Sequence, residues 1–194
     1  HDREFFRKDL ELSINSLEDL IGKKVKAYRA PGFSLIDRTL WVFEELSEQG
    51  IEFDCSIYLG NHSHGGRIEE FGLKPSIVNC NGNTIKEFPV NSFKFGLKEI
   101  AFSGGGYFRF LPYQLIKQLM YRKEYIMTYF HPRDFDSDQP MIDGLSNFRK
   151  FKSYYGLSKA FVKAERFVND FDFVSLNHAD KLVNWNQADK FNLY

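Results

Sequence analysis

The chain has 194 residues, 26 Lys and Arg against 26 Asp and Glu, 43% hydrophobic and 17% aromatic residues, and two cysteines. That length builds one domain with a real core, so residues 1–194 are read as a single domain. The balanced charge supplies no field for gathering phosphate backbones or anionic lipid, which argues against nucleic-acid and polybasic membrane partners and for a neutral or small ligand. Cys55 and Cys80 are too few for a disulfide framework and are read as thiols. No run reaches the roughly 20 apolar residues of a membrane span, and the opening HDREFFRKDL is charged where a signal peptide is apolar. Thiols without a visible signal favour the cytoplasm, or the periplasm or exterior if a signal preceded residue 1.

In chain order, Phe6, Leu10, Ile14, Leu17 and Leu20 or Ile21 recur at helical spacing, which predicts an amphipathic helix from Arg3 to Ile21 capped by Gly22. Val25–Tyr28 is a short strand stopped by Arg29-Ala30-Pro31-Gly32. A helix runs from an Asp37 cap through Leu40, Phe43 and Leu46 to Gly50, carrying Trp41 as a core residue, and Ile51–Tyr58 is the next strand. Leu59–Gly82, rich in Gly, Asn and His, reads as a long binding loop. Thr84–Val90 is a strand, Ser103–Tyr107 a flexible glycine loop, and Pro112 opens a helix through Met120. Tyr125–Phe130 and Phe171–Leu176 read as strands, Leu145–Tyr155 and Ser158–Asn169 as helices, and Asn177 as the cap of a last helix in which His178 has no chemistry. Strands alternating with helices, several of them apolar on both faces, predict an α/β fold with a largely parallel sheet.

Chemistry in such folds gathers at the carboxyl ends of strands. Three predicted strands end there in a titratable or charged group: Tyr28 is followed by Arg29, Phe53 by Asp54 and Phe130 by His131. Singly these also fit a surface ion pair, a loop cap and a core histidine; together they point to a shared site. His62 and His64 could converge on a metal in an extended backbone, with solvent or substrate contact as the other reading. Asp134-Phe135-Asp136-Ser137-Asp138 lacks the glycine and distal glutamate of a calcium loop and reads as a solvated loop. The glycine run lacks the Lys-Ser/Thr of a nucleotide loop.

Arg29-Ala30-Pro31-Gly32-Phe33-Ser34, Phe53-Asp54-Cys55-Ser56-Ile57, Ser103-Gly104-Gly105-Gly106-Tyr107-Phe108-Arg109 and Tyr129-Phe130-His131-Pro132 stand in the order and context seen in the polysaccharide deacetylase family with the NodB-homology domain. The chain resembles that family over nearly its whole length, closest to the branch associated with exopolysaccharide and lipopolysaccharide gene clusters. The resemblance implies a distorted (β/α) barrel and a hydrolase that removes acetyl groups from N-acetylated sugars with a divalent metal, zinc first. It implies His131 as the acid that protonates the leaving amine, Arg29 as the group that holds the catalytic carboxylate, the Gly32 backbone N–H as an oxyanion donor, and Asp54 as a carboxylate that orients the histidine. A histidine that titrates near neutral pH, a forked guanidinium and a fixed N–H each suit these tasks. His64, Gly105, Tyr107, Phe108 and Arg109 are the implied substrate contacts, with Tyr107 or Phe108 offering an aromatic face to a sugar.

The family's Asp-Asp pair and His-x-x-x-His motif, which supply the general base and metal ligands, do not occur in the chain. Against a barrel of about 250 residues, the sequence is expected to be the later part of the domain, lacking the first strand or strands. The rival expectation is a non-catalytic carbohydrate-binding or scaffold domain of the same fold. Neither the sugar nor the oligomeric state is legible.

Overall fold

The computed structural model describes residues 2–60, 68, 71–96 and 98–193. The chain divides into two compact units, one made of His1–Val90 with Val183–Tyr194 and the other of Asn91–Leu182.

The first unit opens with α1 (Arg3–Ile21), closed by Gly22 as the apolar spacing predicts. Asp2 caps it by accepting the Phe5 N–H at 2.7 Å, and Leu10 and Ile14 bury its apolar stripe. β1 (Ala27–Tyr28) is shorter than predicted. The predicted second helix is split into a 3-10 turn, Asp37–Thr39, and α2 (Val42–Glu48), with Trp41 half-buried at the junction. β2 (Phe53–Asp54) follows. The stretch read as one loop to Gly82 contains β3 (Ser76–Cys80), which forms an antiparallel hairpin with β4 (Asn83–Glu87). β7 (Asp189–Asn192), not foreseen in the sequence, pairs parallel to β3.

The sheet order is β1-β2-β4-β3-β7, with β1, β2 and β4 running parallel. The fold is therefore mixed α/β with a parallel-rich sheet, and among the described residues it does not close into a barrel. α1, α2 and the sheet share one core that includes Phe43, Leu46, Ile57, Val78 and Ile85. Arg3 and Arg7 of α1 clasp the fully buried Glu45 of α2, and Arg3 also pairs with the buried Glu44, so both buried carboxylates of this helix contact are paired.

The hairpin turn is Asn81-Gly82, with φ of 48° and 83°, the left-handed pair that matches the strand twist. A side chain at 82 has open space but an unfavourable backbone. Gly82→Ala is expected to cost about 1 kcal/mol, read as a lower denaturation midpoint with an unchanged denaturant slope.

The second unit begins with the hairpin β5 (Ser92–Phe95) and β6 (Lys98–Ala101). Helices α3 (Gly105–Phe110), α4 (Tyr113–Tyr121), α5 (Asn147–Tyr154), α6 (Leu157–Asp170) and α7 (Leu176–Leu182) follow. Its core is aromatic: Phe102, Phe108 and Phe167 are buried, and Phe130 and Phe171 pack against them. The predicted strands Tyr125–Phe130 and Phe171–Leu176 are instead irregular, apart from a single bridge between Tyr129 and Gly104 and the start of α7 at Leu176. Ile126, Phe130 and Phe171 pack partly buried against the helical core, which needs no ladder, while Phe173 and Val174 are exposed. Ser175, not Asn177, precedes α7 and accepts the His178 N–H; His178 itself is exposed.

Candidate functional site

Three parallel strands of the first unit end together. Tyr28, Asp54 and Glu87 are the last residues of β1, β2 and β4 and stand in register, Tyr28 opposite Asp54 and Asp54 opposite Glu87. Each strand end is tied to the next by polar contacts. Arg29 Nε donates to the Cys55 carbonyl at 3.1 Å, and the Ala30 N–H donates to Ser56 Oγ at 2.7 Å. Ser56 Oγ in turn donates to Asp54 Oδ1 at 2.7 Å, and the Ser56 N–H to Oδ2 at 2.9 Å. The Ile57 N–H donates to Glu87 Oε1 at 3.1 Å.

Asp54 and Glu87 are both 0% exposed. Burial raises the Asp54 pKa, against the pull of its bonds to Glu87, Ser56 and the Cys55 N–H. Burial, then the Asp54 charge and the bond to Asp54, drive Glu87 well above the usual carboxylate range. The same surroundings push Tyr28 up to about 12, through burial first and Asp54 next, and Cys55 to about 12 through burial, Glu87 and Asp54. A half-buried phenol, a buried thiol and two carboxyls thus crowd one strand edge under the exposed Arg29, whose guanidinium lies 5.9 Å from the Phe33 ring.

Gly32 follows Pro31 in a 3-10 turn with φ 63°, and Phe33 after it holds φ 54°. Successive left-handed residues, one of them a phenylalanine, are a local strain of the kind that collects beside functional sites.

The structure brings the expected Arg29 and Asp54 to one strand edge, with Gly32 in the turn after Arg29, and adds Glu87 and Ser56, which the sequence did not single out. The rule that selected Asp54, a charged residue ending an apolar segment, also selects Glu87: Ile85 and Glu87 share the buried face of β4, between the partly exposed Lys86 and the buried Phe88.

A family model described as "Domain of unknown function (DUF3473)" matches residues 55–181, well over half of the chain. The chain belongs to the DUF3473 family. No curated protein and no solved structure matches it. The DUF3473 match takes in Ser56, Glu87, the glycine run and His131, and begins one residue after Asp54.

His131 lies in the second unit, exposed, with its N–H donating to Asp134 Oδ2 at 3.0 Å. Asp134 is buried, whereas Asp136 and Asp138 are exposed, so the acidic segment is solvated only beyond its first member. Of the expected substrate contacts in this DUF3473 chain, His64 lies outside the described residues, as does His62. Tyr107 is half-buried, with Lys152 Nζ 5.6 Å from its ring. Phe108 is 1% exposed and edge-on to Phe130 at 4.9 Å, which puts its ring in the core rather than on a sugar-facing surface. Arg109 is likewise internal, donating to the carbonyls of Lys152 and Ser153. Gly105 belongs to the first turn of α3, so the segment read as a flexible loop is largely helical, and a Cβ there would stand 2.9 Å from the Tyr129 ring. Among the described residues no group of three or more His, Cys, Asp and Glu side chains could hold a metal ion, and no helix is long and apolar enough to cross a membrane.

Proposed function

We propose that the chain belongs to a polysaccharide deacetylase, on a distorted (β/α) barrel, that removes N-acetyl groups from a bacterial polysaccharide or glycolipid-precursor sugar. The observation that carries this reading is the common carboxyl edge of β1, β2 and β4, where Arg29 is held on the Cys55 carbonyl and Asp54 is held by the Ser56 hydroxyl that also accepts the Ala30 N–H. Membership of DUF3473 and the order of the four motifs support it.

In this reading water adds to the amide carbonyl, the C–N bond breaks, and the amine leaves with a proton from His131 while acetate departs. The Gly32 N–H donates to the oxygen that becomes negative, and Arg29 fixes the carboxylate geometry. Tyr107 supplies the sugar contact that stays accessible. A divalent metal, zinc first, enters the reading through Asp-Asp and His-x-x-x-His motifs that residues 1–194 do not contain. The described residues do not fit such an ion by themselves, and no step above runs through one.

The test uses the full-length gene product, supplied with zinc, and measures acetate released from N-acetylhexosamine oligomers. His131→Ala is expected to lower kcat by about 10²- to 10⁴-fold, and chelation to abolish release. Unchanged release in both experiments would sink the reading, and glycan binding without release would favour the scaffold alternative.

A further inference from the structure

Asp54 and Glu87 stand opposite each other in register at the strand edge, both fully buried and each acting on the other's titration, and two carboxyls that close share a bond only if one of them carries a proton. The donors around them are unequal. Asp54 receives the Ser56 hydroxyl and the Ser56 N–H; Glu87 receives only the Ile57 N–H, on Oε1. Glu87 Oε2 is fully buried and meets no N–H or O–H donor among the described residues. Such an orphaned oxygen is costly unless a proton completes it.

We propose that Asp54 and Glu87 hold one proton between them, with Glu87 the positioning residue that carries it and Asp54 the ionised acceptor fixed by Ser56. The proposal rests on the deacetylase reading only for its purpose, which is to keep Asp54 a single oriented anion opposite the Arg29 charge. The proton has no competing home nearby. Tyr28 from β1 and Cys55 from β2 stay neutral across the working range, and Asp9 of α1 acts on Tyr28. Arg29 is the cation that acts on Glu87, and it draws the pair toward a single negative charge.

The sign of the pH dependence follows. A glutamate whose folded pKa is raised binds its proton in the native state after the unfolded chain has lost it. Its stabilising contribution is complete below the ordinary value of 4.5 and is lost as pH rises through the folded value. Glu87→Gln keeps the donor and removes the titration, so its unfolding midpoint is expected to rise relative to wild type as pH climbs above the ordinary value of 4.5.

The deciding measurement is a carboxyl-carbon NMR titration of the full chain labelled at Glu and Asp, with no substrate present. The Glu87 signal is expected to stay in its protonated position at neutral pH and to move toward the ordinary range in Asp54→Asn. Glu87 titrating near 4.5 in the wild type would overturn the proposal, and this holds even if a variant does not fold. In the acetate assay Glu87→Gln is expected to retain kcat at neutral pH and to lose the alkaline limb of the pH profile, whereas Glu87→Ala loses turnover at every pH. Acetate release with a normally titrating Glu87 overturns the pair alone, and a raised Glu87 without acetate release overturns the deacetylase reading alone.

Discussion

Gly104→Ala is expected to destabilise the second unit by about 3 kcal/mol or more. A Cβ on Gly104 would stand 1.6 Å from the Tyr129 carbonyl oxygen and 2.6 Å from its carbon. Both atoms are backbone, so no side-chain rotation relieves the clash, and the segment would have to retreat by about 2 Å to reach ordinary contact. That retreat breaks the contacts that seat α3: the bridge between Gly104 and Tyr129, and the Ser103 hydroxyl donating to the Met127 carbonyl at 2.7 Å. Ser103→Ala, which deletes that hydroxyl bond alone, is expected to cost about 1 kcal/mol. Denaturant unfolding of the two variants measures the difference. Equal stability of Gly104→Ala and wild type would mean that the glycine run serves a ligand and not the approach of two backbones.

The glycine run shows why some of this molecule was legible in its sequence and some was not. Its composition signals an unusual backbone, but a phosphate cradle, a sugar-lining turn and a close crossing of two segments demand the same residues. Only the position of Tyr129, 25 residues away in the chain, separates them. Local signals translated well: the spacing of Leu10 and Ile14 with Gly22 beyond them defined α1 to the residue. The hairpin at Asn81-Gly82 carried an equally local signal that was submerged in a Gly- and Asn-rich stretch read by composition. The runs at 125–130 and 171–176 signal strands that do not form: Phe130 and Phe171 pack against the helical core from irregular backbone, while Phe173 and Val174 stay exposed. β7, with Phe191 as its single large apolar residue, is a strand only because β3 is there to receive it. At the site, strand-end chemistry pointed to Arg29 and Asp54; Glu87 escaped because the predicted strand runs on to Val90 and buries it mid-strand, while its meaning depends on Asp54 opposite.

Asp134→Ala is expected to cost about 3–5 kcal/mol, the penalty for leaving a buried cation without its counter-charge. The Arg109 side chain is 4% exposed and that of Asp134 7%, with Nη2 and Oδ1 3.5 Å apart. The other Arg109 bonds go to neutral carbonyls of Lys152 and Ser153, at 2.9 and 2.8 Å, and its Nε meets no partner among the described residues. Burial already lowers the Arg109 pKa, Asp134 opposes that, and the like charge of Arg133 adds to it. Deleting Asp134 therefore removes the larger favourable influence, leaves only the smaller one of Tyr129, and keeps both unfavourable ones. Arg109→Met together with Asp134→Ala is expected to cost less than Asp134→Ala alone, since the orphaned charge is gone. The loss is expected to change little with salt, because a pair this buried is poorly screened. Asp134 also accepts the His131 N–H, so Asp134→Asn, which keeps an acceptor there, separates the two roles: it loses charge pairing while preserving the His131 backbone anchor. Denaturant unfolding of the three variants decides the matter. If Asp134→Ala matches wild type, the Arg109 charge is neutralised by something other than Asp134, and the case for Arg109 as an internal strut gives way to the sugar contact that its sequence context suggested.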